Sequence, residues 1–147
     1  MSRSIPIGDP PITQEWLGIW YAPMEDELSL EFLPLVQRQG LTAWRMVPRD
    51  ATLDPEQFAQ RLLTEYAQRG GKELVYLFVP GRKFDASGTR HGRGGGWYDR
   101  FLAALPSDWL KIGVYSATQW SDEKLECQTW DVPMDCLIRG IDSILQT

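Results

Sequence analysis

Apolar positions along this chain fall into short runs separated by polar breaks, and the runs alternate between two periods. Residues 17–21 (LGIWY), 41–47 (LTAWRMV), 73–79 (ELVYLFV) and 111–115 (KIGVY) are near-continuous apolar stretches of strand length, and 135–139 (DCLIR) offers one more. The run at 73–79 matches a central parallel strand buried on both faces. Helical patterns lie between the strands. Residues 29–39 carry one, stopped by Gly40; Pro34 either interrupts it or stands at the first position of a helix that starts one turn later. Asp54 is a good N-cap, with Pro55 and Gln57 at the first and third helical positions. Behind it Phe58, Leu62 and Tyr66 recur every four residues, and Gly70-Gly71 ends the helix. A further helix begins at WYDRFLAAL, from residue 97.

Strands alternating with helices predict an α/β fold, a three-layer α/β/α sandwich around a mostly parallel sheet. A chain of 147 residues is long enough to bury one core, so a single domain is expected over 16–147, preceded by an irregular segment, 1–15. The stretch 116–129 carries little regular pattern. The opening MSRSIPIGDPPITQEW lacks the apolar region of a signal peptide, and no run approaches membrane-spanning length. Cys127 and Cys136 show no zinc-type spacing, so a reduced, cytoplasmic setting and no membrane partner are expected.

Charge changes the picture locally. The net charge of −5 argues against nucleic acid as a partner. Between Arg82 and Arg100, however, five basic residues face two acidic ones, within a segment that also holds a run of glycines and the sole histidine, His91. That patch reads either as a site for a small anion or as a solvated loop. Its placement favours a ligand, since loops at the carboxyl ends of parallel strands are where open α/β sheets bind small molecules. Successive glycine amides can form an anion nest, the following helix start adds free N–H groups, and Arg90 and Arg93 offer guanidinium forks. No Lys-Ser/Thr follows the glycines, and Trp97 stands where a dinucleotide fingerprint needs its third glycine, so neither common phosphate motif is present.

The particular string is more specific than its shape. FDASGTRHGRGGGWYDRFL resembles the signature of the 5-formyltetrahydrofolate cyclo-ligase (methenyltetrahydrofolate synthetase) family. Pro80, Gly81, Phe84, Asp85, Gly88, Arg90, Gly92, Arg93, Gly94, Gly96, Tyr98, Asp99, Arg100, Phe101 and Leu102 match it. His91 replaces the usual leucine and Trp97 the first of two tyrosines. Two flanking stretches keep the register: YAPMEDELSLEFL around Glu27, and Gln119 followed by WDVPMD from Trp130 to Asp135. The resemblance covers about residues 16 to 139.

That resemblance implies an ATP-dependent ligase that closes a carbon–nitrogen ring, converting 5-formyltetrahydrofolate into 5,10-methenyltetrahydrofolate with Mg²⁺. It implies that Arg90, Gly92, Arg93, Gly94, Gly95, Gly96, Trp97 and Tyr98 hold the nucleotide, with Arg93 and Tyr98 at the reacting groups. It implies that Asp99 and Asp131 hold Mg²⁺, and that Met24, Glu27 and Trp97 contact a reduced folate. From the residues alone, Asp99 is equally a helix-start acid, Asp131 a turn residue, Glu27 part of a solvated acidic run, and Trp97 and Tyr98 packing residues. His91 reads as structural. The chain also departs from the family pattern. Proline-rich residues 1–15, with Arg3 their only basic residue, stand where members carry a basic nucleotide-gripping helix. The capped helix after Asp54 stands where members carry a Gly-Ile-x-Glu-Pro segment. These departures leave open two other readings: a nucleotide- or folate-binding protein of the same fold without turnover, and a phosphoryl-activating enzyme for another small substrate. The oligomeric state is left open.

Overall fold

A computed structural model of the chain describes residues 5–7, 16–23, 42–48, 52–92 and 96–140. Among these, five strands form one sheet: β1 (Trp16–Tyr21), β2 (Thr42–Val47), β3 (Leu74–Val79), β6 (Leu110–Tyr115) and β7 (Cys136–Arg139). Their order is β2-β1-β3-β6-β7, and every pairing is parallel. The expected α/β architecture around a parallel sheet is therefore present. The expected helix over 29–39 lies outside the described residues.

Alternation along the strands builds two cores, one on each face of the sheet. Val75, Leu77 and Val79 of β3 point to one face and join Phe58, Leu62, Phe101 and Leu102. Tyr76 and Phe78 point to the other, with Ile112, Val114, Cys136 and Ile138. Both described helices, α1 (Pro55–Gln68) and α2 (Trp97–Ala103), contribute to the first face. The helix α1 starts where its sequence demands. Asp54 Oδ1 accepts from the amides of Glu56 and Gln57, and Pro55 occupies the first turn. Gly71, at φ 62°, closes the far end by donating to the Tyr66 carbonyl.

Three features went beyond the sequence expectation. The segment after β3 is not one loop: β4 (Lys83–Phe84) and β5 (Arg90–His91) pair antiparallel before the glycines begin. Residues 5–7, within the segment expected to be irregular, lie along β7, where Leu137 donates to the Pro6 carbonyl and Ile5 is buried. The stretch 116–135 opens with a 3₁₀ turn, Ala117–Gln119, and then crosses the β4–β5 hairpin as an extended strap. Among the described residues no helix is long and apolar enough to cross a membrane.

This topology fixes where a site can form. The chain runs from β1 to β2 in one direction and resumes at β3 on the other side of β1, so the strand order reverses between β1 and β3. At such a reversal the flanking loops part beyond the carboxyl ends of the strands and leave a crevice. Pro80 and the hairpin leave β3 at that end, and the strap leaves β6 there.

Candidate functional site

Asp99 sits in the first turn of α2, half-buried, and its Oδ1 accepts from the Val132 amide at 3.3 Å. Asp131 is held by its own turn, its Oδ2 accepting from the Gln128 amide at 2.8 Å while its amide donates to the Gln128 carbonyl. The two carboxyls lie close enough to act on one another. Burial above all raises the pKa of Asp99, and the neighbouring Asp131 charge raises it further, against the Val132 hydrogen bond and the Arg90 charge. Helix and strap thus bring together the two residues that the resemblance pairs at a metal.

Arg90 lies behind this pair. It is only 7% exposed, and its Nε donates to the Pro80 carbonyl at 2.6 Å. Its guanidinium carbon stands 5.1 Å from the centre of the Tyr98 ring. A Cβ at position 92 would come within 2.8 Å of a guanidinium nitrogen, so Gly92 leaves room for Arg90 where it stands. Gly96 adopts φ 67° immediately before α2, a left-handed geometry that favours glycine. Arg93, Gly94 and Gly95, expected at the phosphates, and Met24 and Glu27, expected at the folate, lie outside the described residues.

Trp97 is held by packing. Its Nε1 donates to the Leu53 carbonyl at 2.7 Å, and its ring lies 6.3 Å from Phe58 and 5.2 Å from Phe101, which fastens α2 to α1. Trp130, beside Asp131, is 65% exposed.

The hairpin under the site depends on Asp85, a residue whose role the sequence reading did not foresee. Its Oδ1 accepts from the amides of Ser87 and Thr89 and from the Ser87 hydroxyl, and its Oδ2 from the Leu125 amide. Burial is the largest single influence on this carboxyl and pushes its pKa up, but the four hydrogen bonds together outweigh it and hold the value below the usual range. Gly88, at φ 88°, turns the hairpin; a Cβ there would stand 2.8 Å from the Met134 carbonyl oxygen. His91 Nε2 donates to the Glu126 carbonyl at 2.7 Å. Gln119 closes the 3₁₀ turn and donates to the Gly81 carbonyl. Asp135 is engaged with Lys111, accepting from its amide and pairing with its Nζ at 3.7 Å. A signal for the hairpin was present in Asp85-x-Ser-Gly, a common turn sequence. Nothing in sequence spacing pointed to the strap contacts.

Among the described residues no group of three or more His, Cys, Asp or Glu side chains is gathered as a metal cage. A pair of carboxylates is what remains, and it suits a cation that takes its other ligands from water and phosphate.

Comparison with known proteins bears on this arrangement. The sequence model of the 5-formyltetrahydrofolate cyclo-ligase family matches residues 32–140. A 5-formyltetrahydrofolate cyclo-ligase of Haemophilus influenzae is 38% identical over 69 residues, which span 46% of this chain and 36% of that relative. The chain thus aligns with little more than a third of that protein's length. A solved structure of a 5,10-methenyltetrahydrofolate synthetase from Mycoplasma pneumoniae shares the fold with a TM-score of 0.50 and 21% identity, over 82% of this chain and 71% of that one.

Proposed function

Because the chain belongs to the 5-formyltetrahydrofolate cyclo-ligase family, we propose that it converts 5-formyltetrahydrofolate and ATP into 5,10-methenyltetrahydrofolate, ADP and phosphate. The observation that carries this reading is the approach of Asp131 to Asp99, tied through the Val132 amide, near the buried Arg90. Two half-desolvated carboxylates repel one another, and hard oxygen donors of this kind fit Mg²⁺. Bound by Asp99 and Asp131, Mg²⁺ would supply charge neutralisation to the phosphate oxygens of ATP.

The remaining assignments concern this chain's own groups. The backbone from Gly92 to Gly96 would cradle the triphosphate, and Arg93 would face the transferring phosphoryl group. Arg90 would hold Tyr98 and the loop in place rather than swing, since its Nε is committed to the Pro80 carbonyl. Met24 and Glu27, which follow the carboxyl end of β1 in sequence, would line the folate side, with the carboxylate accepting from the pterin's donor-rich edge. The formyl oxygen then takes the phosphoryl group, N10 attacks the activated carbon, and phosphate leaves. Preorganised charge and position do most of this work.

A second reading, nucleotide or folate binding without turnover, is favoured by one observation: helix α1, capped by Asp54, stands where family members carry a Gly-Ile-x-Glu-Pro segment. One assay separates the two. Purified protein with 5-formyltetrahydrofolate, ATP and Mg²⁺ is expected to give the absorbance rise of the methenyl product. The rise should vanish without ATP and slow by about 100-fold or more in Asp99→Asn. A flat trace from folded protein that still binds Mg²⁺ and ATP in a calorimeter would establish the second reading.

A further inference from the structure

The strap raises a question of register. From Asp122 to Trp130 no side chain is buried, and only Leu125 is even half-covered. Beyond Asp131, Val132 packs against the core and Met134 is fully buried, but a segment without apolar burial opens locally at little cost, so packing does not set the register of 122–130. Individual hydrogen bonds decide it. Two side chains of the β4–β5 hairpin grip consecutive strap residues: Asp85 Oδ2 accepts from the Leu125 amide at 2.7 Å, and His91 Nε2 donates to the Glu126 carbonyl at 2.7 Å.

We propose that Asp85 and His91 form a clamp that sets the register of the strap and so holds Asp131 against Asp99; His91 is a positioning residue for the carboxylate pair. The division of labour at Asp85 supports this. One oxygen, bonded to Ser87 and Thr89, shapes the hairpin loop, and the other reaches the strap. Hairpin shape and strap register are therefore set by one carboxylate. His91 supplies the second point, and two points fix both position and direction where one would leave a pivot. Five residues beyond Glu126, the Gln128–Asp131 turn and the Val132 bond to Asp99 complete the connection. Leucine, the residue usual at position 91 in the family signature, has no donor for the Glu126 carbonyl, so the His91 half of the clamp comes from this chain's own departure.

The metal arm of the test rests on the function proposed above; the exchange arm does not. His91→Leu removes the donor, and His91→Gln keeps a side-chain N–H of similar reach. Amide hydrogen exchange over 125–132 is expected to be about tenfold faster in His91→Leu, the loss of one hydrogen bond, with the β3 amides unchanged. The apparent Mg²⁺ dissociation constant, titrated calorimetrically in the presence of ATP, is expected to weaken about tenfold, as for groups that orient metal ligands. His91→Gln should restore both. Unchanged exchange over 125–132 in a folded His91→Leu protein overturns the clamp. Faster exchange with unchanged Mg²⁺ affinity overturns its role in placing Asp131. If the wild-type protein binds no Mg²⁺, the function proposed above fails on that arm, and the exchange arm alone decides the clamp.

Discussion

The amide of Val132 donates to Oδ1 of Asp99 across 33 positions of sequence, and that bond brings the strap's Asp131 to the helix that carries Asp99. Strap and helix come from opposite sides of β6 in the chain, so neither carboxylate has meaning as a site without the other. The pair stands at the carboxyl edge of the sheet, where the loops after β3 and β6 converge.

Asp99→Asn tests the pair with little disturbance of the fold, because the amide oxygen still accepts from Val132. Its melting temperature is expected to stay within a few degrees of wild type. ATP-dependent formation of the methenyl product should fall by about 100-fold or more, the scale of losing one preorganised electrostatic contact. Asp131→Asn should behave likewise, and the double variant should be little worse than either single one, since the two act as a unit. Additive losses in kinetics would mean that the two carboxylates do separate jobs.

Gly113→Ala tests the packing beneath the site. A Cβ at position 113 would stand 2.6 Å from Phe84 Cε1, 2.8 Å from Leu137 Cδ2 and 3.0 Å from Met134 Cγ. Phe84 is fully buried and cannot swing aside. Overpacking of this kind costs roughly 1–3 kcal/mol, read as a lowered denaturant midpoint with an unchanged slope. Because Phe84 belongs to β4, the hairpin should shift as well, and amide exchange at Thr89 should quicken. A variant as stable as wild type would show that the β4–β5 hairpin floats on the sheet rather than docking against it.

Acid stability turns on Asp85. Its folded pKa lies below the ordinary value near 4, so the unfolded chain takes up a proton first as pH falls. The stability it contributes is complete above about pH 4 and is lost as pH drops through the depressed folded value. Urea titrations from pH 5 to pH 3 should show a falling midpoint, with a shallower fall in Asp85→Asn. Asp85→Ala leaves three amides and a hydroxyl without their acceptor and is expected to cost on the order of 3 kcal/mol at neutral pH. Equal acid slopes in wild type and Asp85→Asn would remove Asp85 from the account.

The sequence carried the sheet and helix α1 well, and the reason is physical. Continuous apolar runs such as 74–79 and the Asp54–Pro55 start are local signals that tertiary structure had no cause to override. Asp99 and Asp131 were legible only through the likeness of their surrounding words to a known signature. No periodicity connects a helix start with a turn 32 residues later. The strap's sequence shows little pattern because its order is held by side chains from elsewhere: Asp85 and His91 hold it through backbone atoms of Leu125 and Glu126, whose own side chains say nothing of it. Trp97 shows the reverse case. The resemblance implies a ligand contact at this position, where the signature has tyrosine, and nothing in the sequence announced the packing role given by its indole N–H bond to the Leu53 carbonyl.

Alkaline stability turns on the other face of the sheet. Tyr76 is fully buried between Trp16 and Phe78. Burial first, and the nearby Cys136 second, push its phenol up to about 12. In the unfolded chain the same phenol ionises near 10. Between those values the unfolded state has released a proton that the folded state keeps, so stability falls as pH rises through the window. Tyr66 and Tyr115 are raised in the same direction, chiefly by burial. Tyr66, Tyr76 and Tyr115 should each ionise later in an ultraviolet titration of the folded protein than in denaturant. Tyr76→Phe should flatten the decline in urea midpoint between pH 9 and pH 11. If wild type and Tyr76→Phe lose stability at the same rate over that range, the phenol is reached by water in solution and the second core is looser than its packing implies.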